Sequence, residues 1–364
     1  MAIKSTTTER QLIAQLLETL SGLPEVNANL NDGVSTASIG DKQHDAQIDL
    51  SVMGKSFILL IDAKKTVYPR DVRQVLWQHL NRNRPIGLPN DIVLPLIVAE
   101  SISQGAKDML KAERVGYYDS AGSLFLPASG AYLYIDKPLP KALSKSVRAL
   151  FLGRRAQVLH ALLVHHQNWF GVKELAVQAQ VSPATASQVL TELEHFDWLN
   201  LRGQGPSKER YLKEPGALLD AWVKELTANR PSEVHRYYVP ATKADQLPEC
   251  IGQVFATHQV SYAISHEAAA QRYAPFLSSI SQVRCRILVG LAADAAMKEL
   301  GARVVNEGAN LEITEANSQG ELLFSERVGD VWLASPIHVY LDLLRGEGRA
   351  KEMAEHLRKE RIGF

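Results

Sequence analysis

Phe170-Gly171-Val172-Lys173-Glu174-Leu175-Ala176, followed by Val181-Ser182-Pro183-Ala184-Thr185-Ala186-Ser187-Gln188-Val189-Leu190, decides how the middle of this chain is read. Leu175, Ala176, Val181 and Val189 are spaced so that two short helices pack on each other across a turn. Ser182 has the hydroxyl of a helix cap, and Pro183 suits the first helical position, where a missing N–H costs nothing. The second helix is expected over 182–196. Its first turns leave Ser182, Thr185, Ser187 and Gln188 facing outward.

The flanks extend this pattern. Residues 154–166 carry Val158 and Leu162 on an apolar helical face. Segments 198–201 and 209–212 read as strands joined by a glycine-containing turn, and a helix over 218–227 closes the stretch. The whole resembles a winged helix-turn-helix. That resemblance implies double-stranded DNA as partner, with the second helix's start in a major groove, its hydroxyls and amide touching phosphates or base edges. The wing, 201–210, has glycines for its tight turn. Its Arg202, Lys208 and Arg210 would reach the phosphate backbone.

Working outward, Lys137-Pro138-Leu139-Pro140 and Asn229-Arg230-Pro231-Ser232 read as joints. They imply three domains, 1–138, 139–230 and 231–364, each of ordinary size. The 40 basic and 40 acidic residues of the 364-residue chain cancel, which excludes a globally basic nucleic-acid binder. The distribution is uneven: 14 basic and 15 acidic residues in 1–140, 12 and 8 in 141–230, and 14 and 17 in 231–364. The middle stretch thus carries +4, where a nucleic-acid partner is expected.

The first domain reads as a mixed α/β sandwich. Leu12, Leu16 and Leu20 repeat on one helical face, 46–52 alternates like a half-buried strand, and Met53-Gly54-Lys55-Ser56 is a turn. Phe57-Ile58-Leu59-Leu60-Ile61 then runs into Asp62-Ala63-Lys64. Strand alternation puts Asp62 and Lys64 on one face, and the hairpin is expected to bring Asp49 beside them. Two carboxylates with open positions suit Mg²⁺, and a lysine can stabilise charge on a phosphate. Glu18, on the preceding helix, could complete the cluster.

At these residues the chain resembles the PD-(D/E)XK superfamily, the restriction-endonuclease-like fold, over about 8–135. Asp49, a twelve-residue gap, and Asp62-Ala63-Lys64 match its motif, with Asp at the second acid. Glu18 matches its first-helix acid, and Gln74 a glutamine on the helix after the core. The resemblance implies a Mg²⁺-dependent endonuclease in which Glu18, Asp49, Asp62, Lys64 and Gln74 are catalytic and Asp49 and Asp62 bind the metal.

The last third alternates strands and helices, as α/β or α+β. Tyr262-Ala263-Ile264-Ser265-His266-Glu267-Ala268-Ala269-Ala270 and Ala334-Ser335-Pro336-Ile337-His338-Val339-Tyr340-Leu341-Asp342-Leu343-Leu344 are similar to AbiEi-type antitoxins of type IV toxin–antitoxin systems, as is 348–357. The similarity spans about 155–362. It implies a transcriptional regulator whose C-terminal domain contacts a protein such as a cognate toxin, though such antitoxins begin with the winged helix rather than a nuclease-like domain. A homodimer is left open.

Two cysteines, Cys250 and Cys285, cannot form a disulfide framework or a four-cysteine zinc site. No apolar run approaches a membrane span and no signal peptide is evident, so no membrane partner and a cytoplasmic protein are expected. The combined expectation is an α/β multidomain DNA-binding regulator, with the endonuclease as the alternative.

Overall fold

The computed structural model describes residues 7–31, 44–81, 92–138, 147–227, 233–240, 246–277 and 279–364. The joint residues 139–140 and 229–232 lie outside them. The chain is mixed α/β and divides into two compact units, one comprising Met1–Val147 and Glu194–Asp197, the other Arg148–Leu193 and Trp198–Phe364.

The first unit contains α1 (Thr7–Ser21), β1 (Val26–Leu30), β2 (Ala46–Val52), β3 (Lys55–Val67), α2 (Pro69–Asn81), β4 (Val93–Ile102), α3 (Gln104–Ala112), β5 (Gly116–Asp119), β6 (Leu124–Ala128) and β7 (Ala131–Ile135). The strands lie in chain order in one sheet. β4 pairs in parallel with β3 and β5, and the other neighbours are antiparallel. A strand between two parallel neighbours is covered on both faces, hence its continuous apolar text. Leu96 and Val98 join one core with Leu59, Ile61 and the Leu12, Leu16 and Leu20 stripe of α1. Ile97 and Ala99 join a second core with Val72 and Val75 of α2 and Ala106 and Leu110 of α3. Asp62 and Lys64, registered with Ile97 and Ala99, lie on this second face.

The second unit opens with α4 (Gly153–Val164), β8 (Trp169–Phe170), α5 (Val172–Gln178), α6 (Pro183–His195), β9 (Leu199–Arg202), β10 (Glu209–Leu212) and α7 (Pro215–Thr227). Its small antiparallel sheet has the order β8-β10-β9. There follow β11 (Val234–Tyr238), α8 (Leu247–Thr257), β12 (Tyr262–Ser265), α9 (His266–Tyr273), β13 (Val283–Leu288), α10 (Leu291–Glu299), β14 (Arg303–Val304), β15 (Leu311–Ala316), β16 (Glu326–Val328), β17 (Val331–Leu333), α11 (Pro336–Leu343) and α12 (Ala350–Leu357). These strands make a mixed sheet of order β14-β11-β15-β13-β12-β17-β16, closed at either edge by a strand of two or three residues. Among the described residues no helix is long and apolar enough to cross a membrane.

Candidate nucleic-acid interface

Helices α5 and α6 meet through a short turn. Gln180 takes a left-handed backbone, φ 51°, and Val181 N donates to Ala176 O at 2.9 Å. Leu175, Ala176, Ala186, Val189 and Leu190 are buried between the helices and their support. Helix α6 starts at Pro183, and Ser182 Oγ accepts from Thr185 N at 3.2 Å, so the serine caps it. Ser182 Oγ also lies 3.0 Å from Thr185 Oγ1, so these hydroxyls hold each other. Ser182 and Gln188 are exposed, while Thr185 and Ser187 are half-buried.

The β9–β10 hairpin places the wing cations unequally. Gly203 adopts φ +73°, and a Cβ there would stand 2.5 Å from the Ser207 carbonyl oxygen, so the bend requires glycine. Arg202 is exposed; its Nε donates to Glu209 Oε2 at 2.6 Å, and its guanidinium lies 4.4 Å from the Trp169 ring centroid. Lys208 is half-buried. Arg210 corrects the sequence expectation. It is 7% exposed, on the same strand face as buried Leu212, and Nη1 donates to Lys208 O at 3.2 Å. Strand alternation turns it inward, away from any phosphate backbone.

The carboxylates of the first sheet do not assemble as expected. The β2–β3 turn has two residues, Met53 and Gly54, with φ 49° and 77°, and Val52 pairs with Lys55. Both positive values mark the turn that matches strand twist. Lys55 and Ser56, expected in the turn, are in the strand. That register sets Asp49 opposite Ile58, four residues or about 13 Å along the strand from Asp62. Asp49 instead accepts from Asn31 Nδ2 at 2.9 Å and Gln47 Nε2 at 3.2 Å.

The acid facing Asp62 is Asp45, which sequence reasoning missed. Its Oδ2 accepts from Ala63 N at 2.7 Å, and His44 Nδ1 lies 3.1 Å from Asp62 Oδ1. Counting outward from a two-residue turn would have found it. Glu18 is exposed on α1, whose buried stripe packs on the face carrying Leu59 and Ile61; Asp62 has the opposite face, so Glu18 does not complete the cluster. Gln74 is exposed on α2. The pair expected to hold Mg²⁺ is therefore apart, and among the described residues no three His, Cys, Asp or Glu side chains gather for a metal.

A second polar centre forms where segments 262–270 and 334–344 meet. Arg286 pairs with Asp342, whose Oδ2 lies 3.9 Å from His266 Nδ1, and Ser265 Oγ is 2.9 Å from that nitrogen. Arg284 bridges Glu312 at 2.8 Å and Glu267 at 3.3 Å. Burial lowers the pKa of His266 against the opposing pull of Asp342. Burial alone would raise that of Glu312, but hydrogen bonds from Arg284 and Arg236 outweigh it and the net shift is downward.

No family model, curated protein or solved structure matches this chain.

Proposed function

We propose that the chain binds duplex DNA through α6 and the β9–β10 hairpin, as a winged helix-turn-helix, and acts as an antitoxin-like transcriptional regulator in the cytoplasm. The observation that carries this reading is the order α4-β8-α5-α6-β9-β10 with strands paired β8-β10-β9, leaving a helix start with exposed Ser182 and Gln188. The +4 charge of 141–230 supports it. The C-terminal domain would take the protein partner, a cognate toxin or a second copy.

The test is a gel shift with DNA from upstream of the chain's own gene, across a salt series. Arg202→Ala with Lys208→Ala should weaken binding to every sequence and lower the salt slope by about 2. Gln188→Ala should instead relax sequence preference, by about 1–3 kcal/mol at the contacted base. Unchanged affinity and slope in the double variant would overturn the reading.

One observation favours a second reading, a Mg²⁺-dependent endonuclease: Asp45 stands across from Asp62, with Lys64 on the face of Asp62. Plasmid nicking that needs Mg²⁺, survives Asp49→Asn and is lost in both Asp62→Ala and Asp45→Asn would establish it. Absence of nicking leaves the regulator.

A further inference from the structure

A cleft of about 560 Å³ opens in the second unit among α8, β12, β17 and residues 319–325. Such a volume lies within the range of small-molecule sites. Its lining combines four aromatic residues, buried Phe255 and Tyr262 and the more accessible Phe324 and Trp332, with three amides, Gln180, Gln259 and Gln319. Arg327 and Asp330 stand in the same wall but pair with each other, Nη2 to Oδ1, at 3.4 Å, so the cleft offers no net charge.

The wall is built rather than slack. A Cβ at Gly252 would lie 2.8 Å from Asp330 O and 3.1 Å from Tyr262 Oη, so α8 is pressed on β17 where only glycine fits. Trp332 N donates to Tyr262 Oη at 3.2 Å, tying two of the aromatic residues together. Trp332 itself is 44% exposed between two fully buried neighbours, Val331 and Leu333.

The cleft also touches the DNA-binding element. Gln180 is the left-handed turn residue between α5 and α6, two residues before the cap Ser182. A smaller cleft of about 260 Å³ shares Gln180 and Gln319 and is lined by Ser182 as well as Arg154 of α4. A ligand seated here lies against the residues that set the start of α6.

We propose that this cleft binds an uncharged nucleoside by its base and that occupancy changes the DNA affinity of α6; the second half rests on the DNA-binding reading above. A base is planar and stacks on aromatic rings. An amide side chain presents a donor and an acceptor together, which matches the donor–acceptor edge of a base. A cleft without net charge gives nothing to a phosphate, so the free nucleoside is preferred over its monophosphate. Ligation shifts DNA binding to the extent that it favours one placement of α6 over another.

Adenosine, guanosine, cytidine and uridine would be titrated separately into the full chain without DNA, following tryptophan fluorescence and Tm, with adenosine monophosphate as the charged control. At least one nucleoside should quench fluorescence and raise Tm by roughly 5 °C at a hundredfold excess over Kd. Gln319→Ala should weaken binding at least tenfold, and Trp332→Ala should abolish the quench while Trp332→Phe keeps the Tm shift. No response to any of the four, or equal affinity for the monophosphate, overturns the site. The gel shift repeated with saturating nucleoside should change DNA affinity fivefold or more. Nucleoside binding with unchanged DNA affinity overturns the coupling alone. A chain that binds nucleoside but no DNA overturns the DNA-binding reading and leaves the site standing.

Discussion

Two buried polar centres, one in each unit, meet the loss of water in opposite ways. In the first unit Lys107 and Asp119 are 1% and 0% exposed and form an ion pair, Nζ to Oδ2, at 2.7 Å. The remaining polar atoms find partners: Lys107 Nζ donates to Ser123 Oγ at 2.7 Å, and Asp119 Oδ1 accepts from Ala121 N and Ser123 N. In the second unit His160 and His338 lie with ring centroids 4.0 Å apart. His160 Nε2 is 2.5 Å from Ser335 Oγ, which also accepts from His338 N to cap α11. Among the described residues no carboxylate joins them by a hydrogen bond or ion pair. Burial pushes the pKa of His160 down to about 3 and that of His338 well below its ordinary value. A buried charge is tolerated where the chain supplies a counter-charge as well as hydrogen bonds; a buried imidazole without a counter-charge is held neutral.

The sharpest way to break this comparison is to remove one partner of the ion pair. Lys107→Met leaves Asp119 buried without a counter-charge and should cost about 3–5 kcal/mol, read from urea unfolding of the full chain. A loss below about 1 kcal/mol would mean that the pair does not hold the first sheet together. The histidines give the next largest effect. Unfolded, His160 titrates near 6.5, and folded near 3. Between those values the unfolded chain binds more protons, so stability is complete above pH 6.5 and falls as the medium is acidified. From pH 6.5 to 5, His160 alone should cost about 2 kcal/mol, with His338 acting in the same direction. His160→Phe should flatten that slope; an unchanged slope would place the acid sensitivity elsewhere. The smallest effect separates the two aspartates of the first sheet. Asp49→Asn changes an exposed side chain and should shift stability by no more than about 0.5 kcal/mol in thermal unfolding, whereas Asp62→Asn disturbs the contact with His44.

How far the sequence could be read depends on how far along the chain the determinants of each feature lie. The start of α6 was legible because what fixes it lies close by in the chain: Ser182 caps, Pro183 opens, and Leu175, Ala176, Val181 and Val189 are spaced to pack two helices across a turn. The strands 46–52 and 57–61 were legible from alternation and apolar text. Their register was not, because it depends on whether the turn takes two residues or four: the two-residue turn moves the residue opposite Asp49 from Leu60 to Ile58, four residues from Asp62. Arg210 reads as a wing cation beside Arg202 and Lys208, yet alternation from buried Leu212 already sets it inward. β1 and the β16–β17 hairpin are short, with strands of five residues and of three, so periodicity had little to act on. The partners of His160, Ser335 and His338, stand more than 170 residues away in the text, beyond the reach of local periodicity.

The large sheet of the second unit ends at β14 and β16, strands of two and three residues bearing Arg303 and Arg327. A foreign strand docks on a sheet by matching a row of open backbone groups, and rows this short, set with arginine, make poor templates. A second copy or another protein would then have to be met through side chains and helix surfaces rather than by extending the ladder. Contacts of that kind can be tuned one residue at a time, and they guard a crowded chain against runaway stacking into fibres.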